Sequence, residues 1–229
     1  MDHQRFIDQL SDLYDNWGQD SVRPKSNQFQ QVLEQVRGMT TANVMQLLNF
    51  AVDCMEPDEI YCEVGCFQGA NLIGALFDHP GQMAYAVDKF YEFDTDGEKF
   101  EKLIEHLSAF SLESQVFICN QDFEDFLFEI RKIPTEEEIG VYFYNGVHDY
   151  RSQTLGLLLV RPFLADKALI IVGSSNGSAV KQANWDFIAA HPQCQMVLDL
   201  STPEDEHCGF WNGIQVLSWD IKRDYNYDF

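Results

Sequence analysis

The chain has 229 residues, with 37 Asp and Glu against 15 Lys and Arg, giving a formal charge of −22 with histidines neutral. An excess of carboxylates repels phosphate backbones and anionic lipid heads, so nucleic acid and membrane are disfavoured as partners. With 45% hydrophobic residues, including 18 Phe, 9 Tyr and 4 Trp, the composition is that of a folded protein; a chain of this length buries roughly 70% of its unfolded surface as one domain, or one domain with an added cap.

The first ten residues, MDHQRFIDQL, lack the basic start and apolar stretch of a secretion signal, and no later run approaches the ~20 apolar residues that span a bilayer. Six cysteines (Cys54, Cys62, Cys66, Cys119, Cys194, Cys208) form no CxxC pair and read as reduced core residues, so the expected compartment is the cytoplasm. Residues 1 to 56 carry little strand signal and are expected to form a helical N-terminal cap. Thr40 or Thr41 caps a helix with apolar Val44, Leu47, Leu48, Ala51 and Val52 at three- and four-residue steps. Upstream, Phe6, Leu10, Leu13, Tyr14 and Trp17 predict a further amphipathic turn or two, broken at Pro24.

From residue 57 a Rossmann-like α/β domain is expected. Strands are predicted at 60–64, 83–88, 115–120, 141–145, 168–172, 195–200 and 214–219, with helices near 70–77, 96–109, 122–132, 150–161 and 178–190. This alternation implies right-handed crossovers, five parallel strands and helices on both faces of the sheet. The last two strands are joined by STPEDEHCGFWNG, too short and polar for a crossover helix, so they form an antiparallel hairpin at one end.

The strongest chemical signal is EIYCEVGCFQGANL, residues 59–72: a strand, then Gly65 and Gly69, then a helix. Open α/β sheets bind ligands beyond the carboxyl ends of their strands, and the first such turn commonly carries a nucleotide-like cofactor. Against G-x-G-x-x-G, Phe67 and Ala70 occupy the second and third glycine positions. A side chain at the second position obstructs backbone approach to a pyrophosphate, which disfavours NAD and FAD. An adenosine bearing an amino acid fits better. Glu63, just before the turn, suits a cationic amine, Asp88 at the second strand tip suits a ribose diol, and Asp122 after the third suits the adenine amine.

EVGCFQGANL resembles the first motif of class I S-adenosylmethionine-dependent methyltransferases, in the E-x-G-x-x-x-G form of small-molecule O-methyltransferases of the catechol and macrolide-sugar types. The segment VYFYNGVHDYRSQTLGLLLVRPFLADKALIIVGSSN resembles their fourth and fifth motifs, where a strand ends D-G-x-H-x-Y and the next ends in paired acids. The likeness implies a methyl donor bound by Glu63, Gly65, Cys66, Phe67, Gly69, Asp88, Asp122 and Asn145. It also implies transfer to a small molecule, with oxygen as the acceptor atom.

The metal-using branch holds magnesium on the strand-four acid and the two acids after strand five. Here those positions are Asn145, Gly173 and Ser174, which supply no charged oxygen, so no metal is expected. His148, Asn145, Asp149 and Asn176 make at most a weak site for another metal. His148 lies just past strand four, where a base for an acceptor hydroxyl is needed, and its ordinary pKa near 6.5 suits that task. The alternative is a histidine that caps or bonds the helix starting near Tyr150. Tyr144 and Tyr150 are expected as pocket walls. FEDFLFEI (123–130) reads as a buried helix face, TEEEIG (135–140) as a solvated loop, and DEHC (205–208), Phe210 and Trp211 as hairpin structure. Two other readings stay open: a catalytically silent cofactor-binding or regulatory protein, and an NAD-binding oxidoreductase. A homodimer is compatible with all three.

Overall fold

A computed structural model describes residues 1–91, 97–132 and 137–223. Seven strands form one sheet: β1 (Glu59–Val64), β2 (Ala84–Asp88), β3 (Val116–Asn120), β4 (Glu138–Tyr144), β5 (Leu164–Gly173), β6 (Cys194–Leu200) and β7 (Ile214–Asp220). Their spatial order is β3-β2-β1-β4-β5-β7-β6. The pairings among β1 to β5 are parallel, whereas β7 inserts antiparallel between β5 and β6. The predicted terminal hairpin is therefore present, with its second strand on the inside. The order reverses between β1 and β4, which marks the crevice where such sheets bind ligands.

The central strands are buried on both faces because helices cover both. One face carries α1 (His3–Gln9), α3 (Ala42–Asp53), α4 (Ala70–Leu76) and α5 (Lys99–Ala109), packed through Phe6, Leu47, Leu48, Ile73 and Leu103. The opposite face carries α6 (Phe123–Ile130), α7 (Tyr150–Val160) and α8 (Ser178–Ala190), packed through Phe126, Leu157 and Phe187. The period of two assigns neighbours to opposite layers: Val141 and Phe143 of β4 face α3, while Tyr142 and Tyr144 face α7. As predicted, FEDFLFEI buries Phe123, Phe126, Leu127 and Ile130. Of the acidic run at 135–140, Thr135 and Glu136 lie outside the described residues, as does the predicted helix start at residue 96; α5 begins at Lys99.

The first 56 residues depart from an all-helical cap. After α1 and a short 3-10 turn, Tyr14–Asp15 pairs antiparallel with Arg23–Pro24 as a two-residue ribbon, ahead of α2 (Gln30–Gln35). Asn16 at φ 55° and Gly18 at φ 76° turn the chain. Tyr14 is held by long-range contacts: its hydroxyl donates to Asn43 O at 2.8 Å, and its ring meets Trp17 and Phe210. These outweigh the helical spacing of Leu10 and Tyr14. Thr41 caps α3 as predicted, accepting from Val44 N at 3.3 Å.

All six cysteines are free. Cys54, Cys62, Cys66 and Cys194 are buried, but Cys119 is half-buried and Cys208 is exposed on the β6–β7 connection, so they are not all core residues. Among the described residues no helix is long and apolar enough to cross a membrane.

Candidate functional site: a buried acid at a glycine turn

Strand β1 ends in Glu63 and Val64, and the chain then turns through Gly65 at φ 84°, Phe67 at φ 50° and Gly69 at φ 91° into α4. Gly65 is obligatory here, because a Cβ would stand 2.3 Å from Asn145 O, and that neighbour is backbone. Ladder-like bonds extend past the strand ends: Gly65 N donates to Val87 O and Asn145 N to Val64 O, both at 2.8 Å. Glycine turn, β2 tip and β4 tip are thus stitched together around the predicted crevice.

Glu63 is fully buried. Tyr61, two residues earlier on the same face, donates its hydroxyl to Oε2 at 2.8 Å, while Oε1 has no hydrogen-bond partner. Loss of water pushes the carboxyl up to about 8, with the Tyr61 bond opposing the shift and the Asp88 charge adding to it. A buried oxygen without a donor is costly unless something supplies one, and a cationic amine is the donor that suits a carboxylate best.

Asp88, at the β2 tip, accepts Phe67 N at 2.8 Å through Oδ2. The acid at the β2 tip therefore secures the turn. Lys99 lies over the Phe67 ring, 5.4 Å from its centroid, and His106 Nδ1 contacts Gln68 O at 2.8 Å. Asp122 caps α6 by accepting Glu124 N at 2.7 Å and pairs with Lys89 at 2.5 Å. Cys66 is buried beneath the turn, its carbonyl accepting Gly69 N at 2.8 Å.

At the β4 tip, Asn145 Oδ1 fills the space over Gly173: a Cβ there would stand 2.2 Å from it. Asn176 is engaged with Thr202, donating to its Oγ1 at 2.8 Å, and Asp149 caps α7 by accepting Ser152 N at 2.9 Å. Among the described residues no group of three or more His, Cys, Asp or Glu is placed to hold a metal ion.

With Asp149 as the cap, His148 is not one, and it makes no hydrogen bond to any described residue. It is exposed by surface area, yet desolvation on its inner side lowers its pKa from the ordinary value, which keeps the ring neutral at physiological pH. Tyr144 and Tyr150 line neither of the two cavities described below. Tyr144 is buried under Gly156 of α7, and Tyr150 is exposed, donating to Asp186. His207 accepts Gly209 N and pairs with Trp211 across the connection, and Phe210 is buried, the structural roles expected of that segment.

Cavities formed by described residues include two of note. The larger, about 520 Å³, lies at the amino ends of the strands around Met1, Glu59, Glu138 and Asp166, opposite the edge where parallel sheets bind cofactors. The smaller, about 220 Å³, lies on the carboxyl edge between residues 18–22 and 199–210; its lining carries Asp20 and Asp199 and no Lys or Arg. Sequence reasoning did not single out Tyr61, Lys89, Lys99 or His106. Tyr61 was accessible to it, since residues i and i+2 of a strand share a face.

No protein-family model and no curated protein matches the chain. Solved structures do. An O-methyltransferase from Bacillus cereus in complex with SAH superposes with a TM-score of 0.64 at 14% identity, covering 93% of this chain and 99% of that one. The O-methyltransferase TomG from Streptomyces achromogenes, involved in tomaymycin synthesis and solved with SAM, gives 0.63 at 12%, covering 86% and 90%. An rRNA methylase from Streptococcus thermophilus gives 0.54 at 12%, covering 76% and 94%. The chain therefore has the methyltransferase Rossmann-like fold, with a structural match to class I S-adenosylmethionine-dependent methyltransferases and to O-methyltransferases in particular.

Proposed function

We propose that the chain is an S-adenosylmethionine-dependent methyltransferase acting on a small-molecule acceptor, at oxygen and without magnesium. The observation that carries this reading is Glu63: a fully buried carboxylate with one unpartnered oxygen, directly before the glycine turn. The residues fit the donor. Glu63 receives its amine, Asp88 its ribose hydroxyls, the Gly65–Gly69 turn lets it approach the backbone, and Asn145 lies where β4 meets the crevice. Phe67 at the second glycine position remains incompatible with a close pyrophosphate, which favours this donor over NAD.

The bound donor supplies an already activated methyl carbon, so the protein's task is alignment and proton removal. Glu63 and Asp88 orient one reactant at two points. His148, neutral and making no hydrogen bond to a described residue, accepts the proton of an acceptor hydroxyl. The rRNA methylase likeness shows that fold alone does not choose the acceptor. The charge of −22 and the carboxylates Asp20 and Asp199 of the carboxyl-edge cavity favour neutral or cationic small molecules.

Thermal denaturation with S-adenosylmethionine, S-adenosylhomocysteine or NAD tests the donor assignment. At 100 times its dissociation constant the true ligand adds about 2.7 kcal/mol of stability. Turnover across a panel of hydroxylated metabolites then tests catalysis. Binding without any turnover would point to a cofactor-binding protein without chemistry, and stabilisation by NAD alone would point to an oxidoreductase.

A further inference from the structure

Glu63 is fully buried, and its Oε1 has no hydrogen-bond partner. Its strand neighbours in the sheet are Ala86 of β2 and Phe143 of β4, neither of which brings charge. Among the described residues, the titratable groups that act on it or are acted on by it are Tyr61 and Cys62 on its own strand, Cys66 in the turn and Asp88 at the β2 tip. None of these is a cation. Tyr61 and Cys66 are themselves pushed to high pKa, chiefly by burial, so both stay neutral, and Asp88 is the only other acid in the group.

Resting on the donor assignment above, we propose that Glu63 carries a proton in the donor-free protein and releases it when the donor's ammonium docks on Oε1. Tyr61 is the positioning residue that fixes the carboxyl through Oε2. The balance is simple: the Glu63 O–H bond breaks, its proton passes to bulk water, and the carboxylate accepts an N–H bond from the ammonium. No electrons change hands. The consequence is specificity. A neutral acid in a dry site is tolerable without a ligand, whereas the ionised form is favourable only beside a cation. The site therefore charges only for ligands that bring an amine.

The carboxyl's elevation to about 8 sets the scale. Below that value donor binding and proton release are linked, so the dissociation constant falls about tenfold from pH 6 to pH 7. It passes through a minimum near pH 8, where an α-amine of ordinary pKa, about 7.7–8.0, begins to lose its own proton.

Calorimetric titration of the full chain with S-adenosylmethionine and S-adenosylhomocysteine, in phosphate and in Tris at pH 6, 7 and 8, counts the protons released. The expected result at pH 7 is most of one proton per ligand. 5′-Methylthioadenosine, which lacks the amine, should release none. Glu63→Gln should abolish release and flatten the pH dependence between 6 and 7. Tyr61→Phe, which keeps the ring, should move the affinity maximum to higher pH, a change that a merely packing role would not produce. Donor binding with no proton release and a flat profile from pH 6 to 7 overturns this inference and leaves the methyltransferase reading standing. Failure of both ligands to bind at every pH overturns both. The wild-type titrations decide the matter even if Glu63→Gln does not fold.

Discussion

The backbone amide of Phe67 donates to Oδ2 of Asp88 at 2.8 Å, tying the glycine turn to the tip of the neighbouring strand. Asp88 thereby has two tasks, holding the turn and, in the proposed complex, accepting the ribose. Asp88→Asn separates them, because an amide oxygen still accepts Phe67 N but the charge is lost. The melting temperature should change by the equivalent of less than ~1 kcal/mol, while donor affinity should fall at least about tenfold. Asp88→Ala should lose both, and paired thermal and calorimetric measurements distinguish the two substitutions.

Gly65 stands at φ 84° against the backbone of Asn145. Gly65→Ala combines a left-handed strain with a clash that no rotamer change relieves, and should destabilise by roughly 2–4 kcal/mol. Gly81→Ala is the control. It shares the positive φ, 87°, but has open space around it, so urea denaturation should show the smaller loss.

Stability of the donor-free protein carries the signature of Glu63. Its folded pKa, about 8, lies above the ordinary 4.5, so the native state retains a proton that the unfolded chain gives up. The associated stability is complete below pH 4.5 and is lost as pH rises through about 8, on the order of 5 kcal/mol in all. Subtracting the pH profile of Glu63→Gln from that of wild type should isolate this fall. A difference that is level across pH 5 to 8 contradicts a buried neutral acid.

His148→Ala should reduce turnover by about 10²- to 10⁴-fold while leaving donor affinity unchanged, since the ring is proposed to act on the acceptor alone. Asp149→Ala, one residue on, removes the α7 cap and should cost about 1 kcal/mol in stability. Turnover should be indifferent to EDTA, because Asn145 fills the space over Gly173. Loss of activity on chelation, restored by magnesium, would refute the metal-free reading.

The strands β4 and β5 were legible because VYFY (141–144) and ALIIV (168–172) are continuous apolar runs, a pattern that buried parallel strands require. Asp149 as a cap was equally readable from its place before Tyr150. The Tyr14–Pro24 ribbon was not, since local spacing at Phe6, Leu10 and Tyr14 fits a helix and only the distant Asn43 and Phe210 decide otherwise. Direction was the other blind spot. Alternation in VYFYN already sends Tyr144 to the face opposite Phe143, yet which face borders the crevice depends on tertiary packing. Nor does an E-x-G motif disclose that its acid is dry, or that Asp122 meets Lys89, because burial and ion pairing are set by neighbours remote in sequence.

The most direct measurement is a crystal structure of the chain with S-adenosylhomocysteine. The account predicts its amine on Glu63 Oε1, its ribose on Asp88 and its sulfur near the β4 tip at Asn145. Ligand lodged in the cavity at the amino ends of the strands, or a crevice between β1 and β4 that takes a diphosphate instead, would contradict it.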